Sequence, residues 1–146
     1  MNKLMTHRIL IVTSRYYEHI SLELEAGVAE TLEGEDVVFE TILVPGAFEV
    51  PGAIAMAADS AKYDGYIALG CVIRGETSHY DYVCGESARG LMWLSTERRL
   101  AIGYGILTVE NEAQALVRAD RKQKNKGRDA TVACLEMLKL RKKFVR

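Results

Sequence analysis

The segment GETSHYDYVCGE, residues 75 to 86, follows directly on the apolar run YDGYIALGCVIR, so Gly75, Glu76, Thr77, Ser78 and His79 crowd the point where a strand should give way to a helix. Glycine permits a tight turn there. Side-chain oxygens and unpaired backbone N–H groups at a helix start attract anions, phosphate in particular. An imidazole at the same junction can give and take protons near neutral pH, which is general acid–base chemistry. The alternatives for His79 are a histidine that only packs or caps, or one beside a structural Arg74–Glu76 ion pair. Tyr16, Tyr17 and Tyr104 stand at or near strand ends, where a ring can stack on a flat heterocycle or fill the core. Arg118 and the loop DRKQKNKG (120–127) supply fixed positive charge, suited to two-pronged phosphate recognition or simply to solvent. His7 and His19 are assigned no role.

Four apolar runs must position these groups. RILIVTS (8–14), VVFETILV (37–44), YIALGCVI (66–73) and LAIGYGILTV (100–109) have strand length, and the third is apolar on both faces, as a central parallel strand should be. Between them, Ile20, Leu24, Val28 and Leu32 recur every four residues. A small-residue helix opens near Pro51, and apolar positions from His79 to about Arg99 keep the 3.6 period. A short helix over 110–119, the basic loop and a closing helix marked by Ala130, Ala133, Cys134, Met137 and Leu138 complete the chain. Strands alternating with helices predict an α/β fold, a flavodoxin-like three-layer αβα sandwich with a four-stranded parallel sheet. Ligands in such sheets bind beyond the carboxyl ends of the strands, where SRYYEH, PGAFEV, RGETSHYD and the stretch after Tyr104 lie.

The bulk properties narrow the classes. A chain of 146 residues, 49% hydrophobic and 27% charged, reads as one compact domain over residues 1–146. No apolar run approaches the ~20 residues of a membrane span and the first residues lack a secretory h-region, which predicts a cytoplasmic protein without a membrane partner. Cys71, Cys84 and Cys134 form no CxxC pair and read as small core residues, with a thiol nucleophile best placed at Cys84, near His79. The net charge is −1, although more than half of the 19 Lys and Arg residues lie after position 110. That local asymmetry suggests an anionic partner, but the net charge and the absence of a recognisable RNA- or DNA-binding module argue against nucleic acid. No GxGxxG, GxxxxGK[ST] or GxSxG pattern appears, so dinucleotide, triphosphate and hydrolase fingerprints are missing.

SRYYE after the first strand, VPGAFEVP after the second, ALGCVIRGETSHYDYV through the third, and GYGILT followed by RADRKQKNKG are together more specific than any one of them. From about Arg8 to Leu140 the chain closely resembles the lumazine synthase family, which acts at the penultimate step of riboflavin biosynthesis. The resemblance implies condensation of 5-amino-6-(D-ribitylamino)uracil with 3,4-dihydroxy-2-butanone 4-phosphate to give 6,7-dimethyl-8-ribityllumazine, phosphate and water, with neither metal nor organic cofactor. By motif, His79 corresponds to the proton-transferring histidine between the two substrates. Gly75, Glu76 and Thr77 correspond to the turn that holds the butanone phosphate, with Arg118 reaching the phosphate itself. Tyr16 stands where an aromatic residue, commonly phenylalanine, stacks on the pyrimidine. Ala47, Phe48 and Glu49 match the block that contacts the ribityl chain, Cys71, Val72 and Ile73 line the pyrimidine pocket, and Tyr104 matches an aromatic that closes the site from a neighbouring subunit.

The same resemblance implies a ring of five chains with active sites at subunit interfaces, although ten-chain and sixty-chain assemblies also occur in the family. The short segment before Arg8, and Asp120 and Lys124 in place of glycines usual in capsid-forming members, favour the free pentamer. Two further departures bear on the site. Tyr16 adds a hydroxyl that needs a partner, and Glu76 brings a carboxylate near the phosphate that Arg74 or Arg118 would have to offset. The competing reading is a low-activity paralogue that acts as a flavin- or lumazine-binding module.

Overall fold

Side-chain alternation along the first strand sets the layers. In the computed structural model, which describes residues 6–144, β1 (His7–Ser14) sends Ile9 and Ile11 to one face and Leu10 and Val12 to the other, as the two-residue period of a strand requires. Ile9 and Ile11 pack with buried residues of α1 (Glu18–Leu32), α4 (Glu112–Ala119) and α5 (Lys126–Phe144). Leu10 and Val12 pack with α2 (Val50–Asp59) and α3 (His79–Glu97). With β2 (Val37–Val44), β3 (Gly65–Ile73) and β4 (Ala101–Val109), the result is a four-stranded parallel sheet of order β2-β1-β3-β4 with helices on both faces. The flavodoxin-like αβα expectation therefore describes the fold.

Register follows from β1: Ile11 lies opposite Thr41 of β2 and Ile67 of β3, while Ala68 of β3 lies opposite Tyr104 of β4. Because the chain winds one way from β1 to β2 and the other way from β3 to β4, the order reverses between β1 and β3. Such a switch point leaves a crevice at the carboxyl ends of the two strands.

The structure departs from the sequence reading in several places. The edge strand β2 is not buried like the others: Val38, Phe39 and Leu43 stand 51%, 45% and 57% exposed, whereas β4 at the opposite edge is covered by α5. The Pro51 helix starts one residue earlier and ends at Asp59, with Ala61 taking a left-handed φ of 56° beyond its end. The basic loop is shorter than its composition suggests, since α5 begins at Lys126, and its left-handed residue is Asn125 (φ 45°). Asp120 instead has φ −58°, so no glycine is required at that position. The basic charge is also partly engaged: Arg121 contacts Glu23 at 2.9 Å and Glu30 at 3.1 Å on α1. Among the described residues no helix is long and apolar enough to cross a membrane.

One buried polar atom is out of place. Thr13 is fully buried on β1, and its Oγ1 is the side-chain atom left without a hydrogen-bond partner among the described residues. A buried hydroxyl with no partner loses its hydration for no return. Thr13→Val, of nearly the same shape, is therefore expected to raise stability by about 1 kcal/mol, read as a higher midpoint in denaturant with an unchanged slope. A lower midpoint would mean that the hydroxyl has a partner in solution.

Candidate active site

Three segments converge where β1 and β3 end, each shaped by its own local sequence. After β1, the Ser21 hydroxyl donates to the Ser14 carbonyl at 2.6 Å and holds the start of α1 against the strand end. Arg15 is turned back by a two-pronged pair with Glu25 at 3.0 and 2.7 Å. Tyr16 is left 75% exposed and Tyr17 half-buried, their rings edge to face at 5.0 Å. After β2, Pro45-Gly46 stops the strand and Ala47–Glu49 form a 3-10 turn closed by the Glu49 N–H to the Gly46 carbonyl at 3.1 Å. Ala47 is buried there, while Phe48 and Glu49 are exposed. After β3, residues 74 to 78 bridge to α3, whose first residue is His79.

Between them lies a cleft of about 520 Å³, a size that suits a small-molecule site. Among the residues named from sequence, Tyr16, Ala47, Phe48, Glu49, Cys71, Val72, Ile73, Gly75, Thr77 and His79 line it. Glu76, Tyr104 and Arg118 do not line the cleft on their own chain. Glu76 is exposed. Tyr104 is 45% exposed on the edge strand, with Cys84 and Tyr80 for neighbours. Arg118 lies in the last turn of α4, where its Nη1 donates to the Gln114 carbonyl at 3.1 Å. Arg74, one of the two cations named to offset Glu76, is already engaged by Glu110 at 2.8 Å and Asp81 at 3.3 Å.

Tyr17, named from sequence as a ring that could stack or fill the core, also lines the cleft, as do Ser14, Tyr80 and Val83, which were not assigned to it from sequence. Tyr80 and Val83 fit the helical period as core residues. What the period does not convey is that a helix beginning at the mouth of a crevice presents its first turn to ligand and core alike.

Protonation states follow from burial. The Cys71 thiol is pushed up to about 12 by burial, so it stays protonated at neutral pH and is no nucleophile. Burial likewise raises the Cys84 thiol, half-buried beside Tyr80 and outside the cleft lining, which counts against a nucleophile there and agrees with its reading as a small packing residue. Burial also raises the Tyr17 and Tyr80 phenols, so both line the cleft in their neutral form. His79 is the cleft's imidazole, the side-chain type that exchanges protons near neutrality.

The sequence profile of the 6,7-dimethyl-8-ribityllumazine synthase family matches residues 6–142. The chain is 56% identical over 137 residues to the 6,7-dimethyl-8-ribityllumazine synthase of Novosphingobium aromaticivorans, an overlap of 94% of this chain and 98% of the relative. It is 55% identical over 140 residues to the enzyme of that name from Sphingopyxis alaskensis (96% and 98% covered) and 53% identical over 137 residues to the one from Zymomonas mobilis (94% and 98%). With a profile match and high identity both running along nearly its whole length, the chain belongs to the 6,7-dimethyl-8-ribityllumazine synthase family.

Proposed function

We infer that this chain is a transferase-type enzyme of riboflavin biosynthesis that condenses 5-amino-6-(D-ribitylamino)uracil with 3,4-dihydroxy-2-butanone 4-phosphate to give 6,7-dimethyl-8-ribityllumazine, phosphate and water. The observation that carries the reading is the placing of His79 on the wall of a cleft bounded by the PGAFE turn and the Gly75–Ser78 turn, in a chain more than half identical to synthases of that name. The amine of the uracil attacks the ketone, the resulting Schiff base loses phosphate, and the second nitrogen closes the ring. Protons therefore move repeatedly while two substrates are held together, which calls for one proton-transferring group and good positioning.

In this reading His79 shuttles protons between the two substrates. Tyr16 stacks on the pyrimidine, with Cys71, Val72 and Ile73 lining its pocket, and Ala47, Phe48 and Glu49 hold the ribityl chain. Gly75, Glu76 and Thr77 hold the phosphate by their turn, Glu76 through its backbone N–H.

Arg118 and Tyr104 complete the site from a neighbouring chain, in a ring of five. Their position outside the cleft of their own chain and the exposed apolar residues Val38, Phe39 and Leu43 on the edge strand support an assembly in which these surfaces are covered.

Mixing the purified protein with both substrates and following the lumazine absorbance tests the activity, and formation at the no-enzyme rate by folded protein would leave a flavin- or lumazine-binding module instead. The shared site has its own test. Arg118→Ala is expected to raise KM for the phosphorylated substrate with little change in kcat. At butanone phosphate concentrations well below the raised KM, where both variants are slow, co-assembling Arg118→Ala with His79→Ala chains should restore activity in about a quarter of the sites, because those pair an intact His79 with an intact Arg118. No recovery on co-assembly would place both residues in one chain's site.

A further inference from the structure

His79 is placed only through its backbone. Among the described residues its imidazole takes no hydrogen bond or ion pair, and its own N–H makes a long 3.3 Å contact to Thr77 Oγ1. Ser78, at the N-cap of α3, makes no side-chain capping bond either. The first turn of α3 therefore lacks the anchor that usually fixes a helix start. The direction of the imidazole depends on whatever ties that turn to the sheet.

The tie is Arg74. Its backbone N–H donates to the Val109 carbonyl at 2.9 Å, extending the β3–β4 pairing by one residue. Its guanidinium Nε donates to Glu110 Oε2 at 2.8 Å, just past the end of β4. Its Nη1 reaches Asp81 Oδ1 at 3.3 Å in the first turn of α3, and its Cζ lies 4.3 Å over the ring of Tyr80. One planar side chain thus joins the end of the sheet to the two residues that follow His79, and Tyr80 itself lines the cleft. A guanidinium suits this task because its fork engages two carboxylates while its face stacks on an aromatic ring. The group is 40% exposed, so these pairs contribute little to global stability. Their effect is on geometry.

We propose that Arg74 is a positioning residue for the reaction, which buckles the turn between β3 and α3 and so aims His79 at the substrates. The proposal rests on the assignment of proton transfer to His79. Proton transfer depends steeply on placement, and a displacement of about 1 Å can cost up to a hundredfold in rate.

Arg74→Ala is therefore expected to lower kcat about tenfold, with each KM changed less than about threefold and the thermal midpoint within about 3 °C of wild type. Arg74→Lys keeps the charge without the fork and should fall between the two. It also provides the measurement should the alanine variant fail to fold. The decisive comparison is the effect of Arg74→Ala in a His79→Ala background. If Arg74 acts through His79, the further loss there shrinks to less than about twofold, whereas a general structural role would carry over in full. Wild-type kcat in both Arg74 variants, an undiminished loss in the double variant, or a raised KM for the butanone phosphate with kcat unchanged would each overturn the proposal. A His79→Ala variant with wild-type kcat would instead show that the assignment of His79 had failed, and the proposal for Arg74 with it.

Discussion

His79→Ala is expected to lower kcat by ten- to a thousandfold while changing KM for either substrate much less. General acid–base assistance is worth about two to four powers of ten when a positioned group moves a proton in the transition state. The lower bound is set by the reaction itself. An amine adds to a ketone without a catalyst, and a protein that merely holds the two together retains much of its advantage. The thiol of Cys71 and the phenols of Tyr17 and Tyr80 are no ready replacement, because burial holds them protonated. Initial rates of lumazine formation at varied concentrations of each substrate measure both parameters. A wild-type kcat would remove His79 from the chemistry and leave positioning as the whole of the catalysis.

Gly103→Ala is expected to be the most damaging small substitution for stability. A Cβ at Gly103 would lie 1.9 Å from the Ala130 carbonyl oxygen and 2.8 Å from its carbon, both of them backbone of α5. No rotamer change relieves a clash with backbone, so α5 would have to lift from β4, disturbing the packing of Ala130, Cys134 and Leu138 in the core. The cost should exceed about 3 kcal/mol, a large share of the ~5–15 kcal/mol that holds a domain folded, and the thermal midpoint should drop by about 10 °C. Gly52, exposed in α2 with nothing within 4 Å of its Cβ position, is the control. Gly52→Ala should leave stability unchanged or raise it by up to about 1 kcal/mol, since alanine is the better helix former. Equal midpoints for the two variants would mean that α5 yields at no cost.

Interrupted strands such as LAIGYGILTV illustrate the boundary between what sequence conveys and what it does not. The run is legible as a strand from its length and apolar content. Its glycines read only as interruptions, because the helix that presses on Gly103 starts more than twenty residues later in the chain. Arg74 is a similar case. Beside Glu76 in sequence it suggests a local ion pair, but its partners are Asp81, in the first turn of α3, and Glu110, which arrives with β4.

The amino-acid sequence by itself determined the alternation of strands and helices, the strand-to-helix junction that carries His79, the turn chemistry at Pro45-Gly46 and the family resemblance. The first three are local, resting on periodicities of two and 3.6 residues and on the conformational habits of glycine and proline, while the resemblance rests on the motif blocks from SRYYE to RADRKQKNKG taken together. Only the tertiary structure decided that β1 and β3 lie side by side with the order reversing between them, so that residues near 14, 47 and 75 form one cleft. It decided equally that Arg118 and Tyr104 stay out of the cleft on their own chain, and that Arg74 joins β3, β4 and α3. The physical reason is that strand order and the close approach of a helix to a strand are set by burying apolar surface between segments far apart in the chain, and local pattern carries no record of which segments meet.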